Sequence, residues 1–234
     1  MKRLFAAVLS AAVAAAPARA QEITSQLVGE IAGDDVSLVL LGVTAVPEGI
    51  GVKPVFSVLG YRVGFPAGAT GTSSLWSVNP SVGLRYRTVA GFLEGNAGYA
   101  FVNSEGNFPF FGGGESGVTT GLHAEYWGTG AFGVQGIVNY NWGSEYFWSR
   151  ARATARLLSQ PSGALHAGGE LGWQGDLTDV PPGQEAYEAT MVGPVVQWIA
   201  IQGWILGVGA GWKDASTEND GTWYLRTEIQ IPVR

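Results

Sequence analysis

The chain has 234 residues, no cysteine and a formal net charge of −6, and it combines 36 glycines with 12% aromatic and only 14% charged residues. The lack of cysteine excludes a small module held together by disulfide bonds. The negative charge gives no reason to expect nucleic acid as a partner, because phosphate binding needs clustered Lys and Arg, and the aromatic content argues against a disordered chain.

The N-terminus has the pattern of a secretory signal peptide. Lys2-Arg3 precedes an uncharged run over residues 4–16, and Ala18-Arg19-Ala20 matches a small-residue cleavage site. The run is shorter than the about 20 apolar residues that cross a bilayer as a helix. We therefore expect residues 1–20 to be removed and residues 21–234 to form one domain.

Polar and apolar residues alternate with a period of two along most of the remaining chain, which is the pattern of β-strands. In the segment 76–87 the even positions are apolar and the odd positions are Ser, Asn, Gly and Arg, and similar alternation recurs in 131–143 and 221–233. We predict an all-β fold, an antiparallel transmembrane β-barrel of about 12 strands (10 to 12), with the weakest pattern in the first two. The predicted strands are 26–32, 36–46, 50–63, 75–88, 91–104, 116–128, 131–143, 145–158, 163–174, 186–199, 203–214 and 221–233.

The connections between the predicted strands alternate in length. Short ones lie at 47–49, 89–90, 128–130, 159–162 and 200–202, and mostly longer ones lie at 64–74, 105–115, 175–185 and 215–220. Two connections on the long side, 33–35 and 143–145, are also short. Short periplasmic turns and longer extracellular loops are typical of bacterial outer-membrane barrels, so we expect the protein in the cell outer membrane, surrounded by outer-membrane lipid.

Tryptophan placement and strand length point to the same class. All nine tryptophans lie within three residues of a predicted strand end, where membrane barrels carry aromatic girdles. The predicted strands are also longer than the five or six residues usual in soluble sheets. Outer-membrane barrels commonly end in an aromatic residue, and the sequence Ile231-Pro232-Val233-Arg234 does not, so we expect the usual insertion route to be less efficient.

The uncharged stretch 189–212 could instead be a transmembrane helix. However, it contains Gly193-Pro194 and Gln202-Gly203, and its second half alternates Gly with larger apolar residues. Glycine at period two has no purpose in a helix. We therefore predict two strands joined by a tight turn.

Charged residues concentrate on the face that would point into the barrel. On the predicted strand 145–158, Arg150, Arg152 and Arg156 alternate with small residues and form one ladder. The complete set of lumen-lining candidates is Arg85, Arg87, Glu94, His123, Glu125, Arg150, Arg152, Arg156, His166, Glu170, Arg226 and Glu228. Such a wall either attracts anionic or polyhydroxylated solutes or bonds across a narrow barrel and fills it.

Motifs of catalysis and metal binding are scarce. The two histidines, His123 and His166, have no Ser, Cys or Asp at a familiar motif spacing, and neither G-x-S-x-G nor H-E-x-x-H occurs. The acidic segment 214–221 lacks the glycine position of a calcium loop, and Gly112-Gly113-Gly114 is predicted to be a flexible loop. We expect no catalytic residue, no metal and no cofactor.

The run Glu145-Tyr146-Phe147-Trp148-Ser149-Arg150-Ala151-Arg152, followed by Gly168-Gly169-Glu170 and Val192-Gly193-Pro194, resembles the BcsS family of cellulose-biosynthesis-associated outer-membrane proteins. The resemblance spans about Pro80 to Trp212 in order and spacing. It implies a barrel that accompanies polysaccharide export machinery, and it provides no catalytic residues to carry over.

Three hypotheses follow. The first is a non-enzymatic outer-membrane barrel, a narrow porin-like pore or a structural accessory of exopolysaccharide export. The second is an outer-membrane barrel enzyme acting on lipid or lipopolysaccharide, in which His123 or His166 would serve as general base next to an inward Ser or Glu. It requires one histidine near the outward rim with a hydroxyl within hydrogen-bond reach. The third is a soluble lipocalin-like barrel, which needs apolar residues inside and polar residues outside. The alternation leaves open which face is outward, and the oligomeric state is also open.

Overall fold

The computed structural model describes residues 21–33, 36–67, 71–105, 115–128, 130–177, 187–216 and 221–233. The predicted signal peptide at 1–20, the glycine run at 112–114 and residues 217–220 of the acidic segment lie outside these residues.

In the described ranges, twelve antiparallel strands form one closed barrel in which each strand pairs with its neighbours in sequence and β1 pairs with β12. The strands are β1 (Gln21–Ala32), β2 (Val36–Pro47), β3 (Gly51–Ala67), β4 (Gly71–Arg87), β5 (Gly91–Glu105), β6 (Gly117–Tyr126), β7 (Phe132–Asn141), β8 (Tyr146–Gln160), β9 (Gly163–Asp176), β10 (Glu188–Ala200), β11 (Ile205–Ala215) and β12 (Thr222–Val233). The predicted fold class is therefore confirmed, at the upper end of the predicted strand number.

The two ends of the barrel differ in their connections. We call the end where β1 begins and β12 ends the near end, and the opposite end the far end. Near-end connections are the short segments 48–50, 88–90, 127–131, 161–162 and 201–204, whereas the far end has the longer segments 106–116 and 177–187. The predicted alternation in connection length is thus present, with the short far-end connections 33–35, 68–70 and 142–145 as exceptions.

The predicted long loop at 64–74 is wrong. β3 and β4 pair without interruption from Gly51↔Arg87 to Ala67↔Gly71, so the connection is only 68–70. The Ser, Thr and Gly residues in this segment resemble a loop in composition, yet a hairpin is held by backbone hydrogen bonds that any of these residues can make. Strand β1 likewise begins five residues earlier than predicted, at Gln21, since it pairs along its whole length with β2.

The stretch 189–212 forms the predicted hairpin. It contributes to β10 and β11, which pair from Ala189↔Ala215 to Ile199↔Ile205. Within the described ranges, the structure contains no helix that is long and apolar enough to cross a membrane.

The structure decides which face of the sheet is outward. On β4, Val82 and Leu84 are 57% and 60% exposed, while the alternate residue Ser77 is buried. Large apolar side chains are exposed on every strand face that turns away from the interior, for example Leu122 and Val208, whereas charged side chains such as Arg150 and Glu170 are buried inside. The lipocalin-like arrangement, which is the reverse, is therefore wrong for this barrel.

Tryptophans gather near both ends, with one departure from the predicted girdle. Trp212 and Trp223 are exposed on the outer face toward the far end, and Trp204 is exposed at the near end. Trp148, however, lies on the face of β8 that carries the buried Arg150. Alternation dictates this position, since residues two apart on a strand share a face.

Candidate functional site

The interior of the barrel is built around the inward face of β8. Arg150, Arg152 and Thr154 are buried, whereas the intervening Ala151 and Ala153 are exposed on the outer face. Small alanines on the outer face and long polar side chains on the inner one make the ladder specific to one register, because a slip of one residue would turn every arginine outward.

The three buried arginines meet three buried glutamates. Arg152 Nη2 lies 3.0 Å from Glu170 Oε2 and 3.0 Å from Glu228 Oε2. On the other side of Glu170, Arg226 Nη1 donates to Oε1 at 3.0 Å, and Arg226 Nη2 donates to Glu30 Oε2 at 2.7 Å. Each of these carboxylates therefore has at least one cationic partner, which burial of a charge requires.

Polar side chains extend this cluster to both sides. Tyr224 donates its hydroxyl to Glu170 Oε1 at 3.0 Å, and Gln26 donates to Glu228 Oε1 at 3.2 Å. Gln135 on β7 accepts from Arg150 Nη2 at 2.8 Å and donates to Glu125 at 2.6 Å. We call the set Gln26, Glu30, Glu125, Gln135, Arg150, Arg152, Glu170, Tyr224, Arg226 and Glu228 the interior network.

Several of these contacts cross the barrel rather than follow the sheet. Arg152 on β8 reaches Glu228 on β12, and Arg226 on β12 reaches Glu170 on β9, although these strands are not neighbours. Side chains on non-adjacent strands can meet only through the interior of a closed barrel. The interior network therefore occupies part of the lumen cross-section.

Glycines of β11 leave the room that this network needs. A Cβ added at Gly209 would lie 2.7 Å from Glu170 Oε1, and one added at Gly207 would lie 3.4 Å from the Cβ of Glu228. Both glycines are on the inward face of β11, since Val208 between them is exposed outside. The glycine at 209 is thus explained by space for the Glu170 carboxylate, whereas a Cβ at Gly207 would make ordinary contact with Glu228.

A second group of charges lies on β4 to β6. Arg85 binds Glu94 through Nη2 at 2.6 Å and Nε at 2.9 Å, and its guanidinium lies 4.0 Å from the ring centre of Phe92. Arg87 forms an ion pair with Glu22 on β1, again between strands that are not neighbours.

The two histidines lie in the half of the barrel toward the near end. His123 Nε2 is 3.0 Å from Glu125 Oε1. His166 is buried, and its Nδ1 has no hydrogen-bond partner within the described part of the chain. The hydroxyl partner at the outward rim that the barrel-enzyme hypothesis requires is thus not found for either among these residues, nor does the described part contain a cluster of His, Cys, Asp and Glu suited to a metal ion.

Arg156 is the member of the β8 ladder that the interior network does not include. It is exposed close to the near end, beside a register irregularity between Arg156 and Leu158. Among the described residues, Arg156 forms no ion pair.

The inner wall is not charged all around. Val28, Val46, Val55 and Leu75, on β1 to β4, are buried and occupy inward positions in the same register as the polar residues of their strands. These apolar positions are interspersed with polar ones such as Glu30 on β1, so this side of the lumen is lined by a mixture of apolar and polar groups.

Sequence reasoning missed several members of this site. Glu22 and Glu30 lie on β1, whose predicted start at 26 excluded the first and whose weak pattern hid the second, although Gln26, Val28 and Glu30 do alternate with Leu27 and Ile31. Gln135 and Tyr224 were on the correctly identified polar faces but are uncharged. Pairing across the lumen involves residues up to 76 positions apart, and no local pattern encodes it.

Comparison with known proteins supports the architecture. No protein-family model matches the chain, and no curated protein sequence matches it. An outer-membrane channel from Pseudomonas putida F1 aligns over 94% of this chain and 97% of its own, with 12% identity and a TM-score of 0.61.

Two further barrels align over similar lengths. The β-domain of the Bordetella autotransporter BrkA covers 91% of this chain and 99% of its own, with 9% identity and a TM-score of 0.56. The KdgM porin in complex with disordered oligogalacturonate covers 90% and 99%, with 11% identity and a TM-score of 0.51. At these identities the likeness shows a shared fold, the bacterial outer-membrane β-barrel.

Proposed function

We propose that the protein is a non-enzymatic barrel of the bacterial outer membrane that acts as a narrow pore, with the interior network as its constriction. The observation that carries this proposal is the distribution of side chains: large apolar residues cover the outside of a closed barrel while paired charges cross its inside. A lipid phase stabilises such an exterior, and the strands, of 10 to 17 residues, are long enough to span it. The predicted signal peptide at 1–20 fits export to this location.

The lining suits small polar solutes better than a bulky chain. Arginine side chains on a pore wall favour anions and polyhydroxylated molecules, and the cross-barrel contacts reduce the space available to a solute. One barrel of the same fold, the KdgM porin, is described with oligogalacturonate, and we extend only the class of an acidic saccharide to this chain.

The test is conductance in planar bilayers. Full-length protein is extracted from the outer-membrane fraction of a Gram-negative host, and folding is checked by a band that shifts on boiling. We expect small currents from the wild type and larger ones from the double variant Arg152→Ala, Glu228→Ala, which removes one charge of each sign from the constriction. Arg62→Ala, which changes an exposed residue on the outer face of β3, is the control.

A second candidate is a structural accessory of envelope or exopolysaccharide export, including cellulose export as the resemblance to the BcsS family implies. The neutral pairing of three arginines with three glutamates, which fills part of the lumen, favours it. The same experiment separates the two: absence of current from a folded wild type and from the double variant supports the structural role and contradicts the pore.

A further inference from the structure

Arg150 is the arginine of the interior network with the weakest contact to a carboxylate. Its ion pair with Glu228 is 3.7 Å long, and the glutamate oxygen concerned already accepts a hydrogen bond from Arg152 at 3.0 Å. Its Nη2 binds Gln135, which is uncharged. Arg152 and Arg226, in contrast, each approach two carboxylates within 3.0 Å.

Hydrogen-bond donors in this region lack acceptors. Within the part of the chain that the structure describes, Arg150 Nε and Arg152 Nη1 are buried and neither forms a hydrogen bond. Both side chains are only 5% exposed. Buried N–H groups of a charged side chain are costly to leave unpaired, so an acceptor that enters here gains two charge-assisted hydrogen bonds.

We propose that Arg150 and Arg152 bind the carboxylate of a small anionic solute, such as a sugar acid, as it passes through the lumen. This inference rests on the proposed pore function and deepens it by naming the residues that bind the acidic group of the solute. Residues two apart on a strand point to the same face with Cα atoms about 7 Å apart, so one carboxylate can accept a hydrogen bond from each of the two long side chains. Binding is weak and reversible because Glu228 lies nearby, which a pore requires for release.

The side chains between the far end and Arg150 suit a solute whose carboxylate is attached to a sugar ring. On the inward face of β8, Tyr146 and Trp148 precede Arg150 in the direction from the far end, so aromatic faces come before the guanidinium groups. Lys213 on β11 is buried inside toward the same end, and no ion pair to it is recorded among the described residues. Its positive charge adds attraction for an anion at this entrance.

The site is tested by calorimetric titration of the folded full-length protein in detergent with D-galacturonate and with D-galactose, two sugars that differ at the carboxylate. We expect galacturonate to bind and galactose not to bind. Arg150→Gln should weaken galacturonate binding at least about tenfold, since a charge-assisted hydrogen bond is lost. Arg62→Gln, the charge-matched change on the outer face, should leave it unaltered.

Arg150→Lys is the second variant, for use if Arg150→Gln does not fold. Lysine keeps the positive charge beside Glu228 but lacks the Nε–H donor and the planar guanidinium, so weaker galacturonate binding is again expected. Equal binding of galactose, or wild-type affinity in the folded Arg150 variant, overturns the site. The titration does not depend on ion flow, so the two proposals fail separately. Conductance without galacturonate binding supports the pore and contradicts the binding site. Galacturonate binding without conductance supports the binding site and contradicts the pore.

Discussion

Arg152 on β8 donates to Glu228 on β12 at 3.0 Å across the interior of the barrel, although β9, β10 and β11 separate the two strands in the sheet. The same guanidinium also binds Glu170 on the neighbouring strand β9. The Arg152 side chain therefore links β8 and β9 to β12 on another side of the lumen. Its removal should affect the stability of the whole barrel.

Arg152→Ala should lower the free energy of unfolding by about 3–5 kcal/mol, because it leaves two buried carboxylates with fewer cationic partners. Urea unfolding in lipid vesicles, followed by tryptophan fluorescence, measures this. The matched control on the same inward face is Arg156→Ala, which is exposed and should change the value by less than about 0.5 kcal/mol. Equal losses in the two variants would contradict a structural role of the interior network.

Gly209→Ala should destabilise the barrel by about 1–3 kcal/mol, since the added methyl group lies 2.7 Å from Glu170 Oε1 and this carboxylate is held by three side chains. Gly136→Ala on β7 is the control, because no atom lies within 4 Å of the added Cβ. It should be neutral or stabilising by up to about 1 kcal/mol. The same unfolding assay applies, and a reversed order of the two variants would refute the explanation of Gly209.

Leu122→Arg should lower stability in lipid vesicles by about 2–4 kcal/mol, because the residue is exposed on the outer face in the middle of β6, where a lipid bilayer would surround it. Val89→Arg, in a near-end turn and equally apolar in the wild type, should cost about 0–1 kcal/mol. The comparison measures how the loss of stability caused by an introduced arginine depends on its depth in the bilayer. Similar small losses at both positions would mean that no membrane covers the outer face.

Trp148→Phe should leave quenching of tryptophan fluorescence by brominated lipids almost unchanged, since Trp148 faces the interior. Trp212→Phe should reduce the quenching measurably, because Trp212 is exposed on the outer face. The ratio of emission in brominated and ordinary lipid vesicles gives both values. A larger effect of the Trp148 variant would show that the inward assignment of β8 is wrong.

Much of the fold follows from alternation in the sequence, and particular residues show where this stops. The inward position of Arg150 and Arg152 can be predicted from the sequence because alanines alternate with these arginines. The hairpin that replaces the predicted loop at 64–74 was missed, since Ser, Thr and Gly are compatible with both a loop and a strand and only pairing with the adjacent strand decides between them.

The amino-acid sequence by itself determined the twelve alternating strands, their order in a meander and the separation of an apolar face from a charged one, because side-chain direction on a strand has a strict period of two. Pairing of β1 with β12 closes the sheet, and this closure decided which face is outward and which charged side chains meet. It turned the apolar face outward, and it brought Glu30, Glu170 and Glu228 to Arg226 and Arg152. These contacts depend on the curvature and diameter of the closed sheet, which are properties of all twelve strands together and of no segment alone.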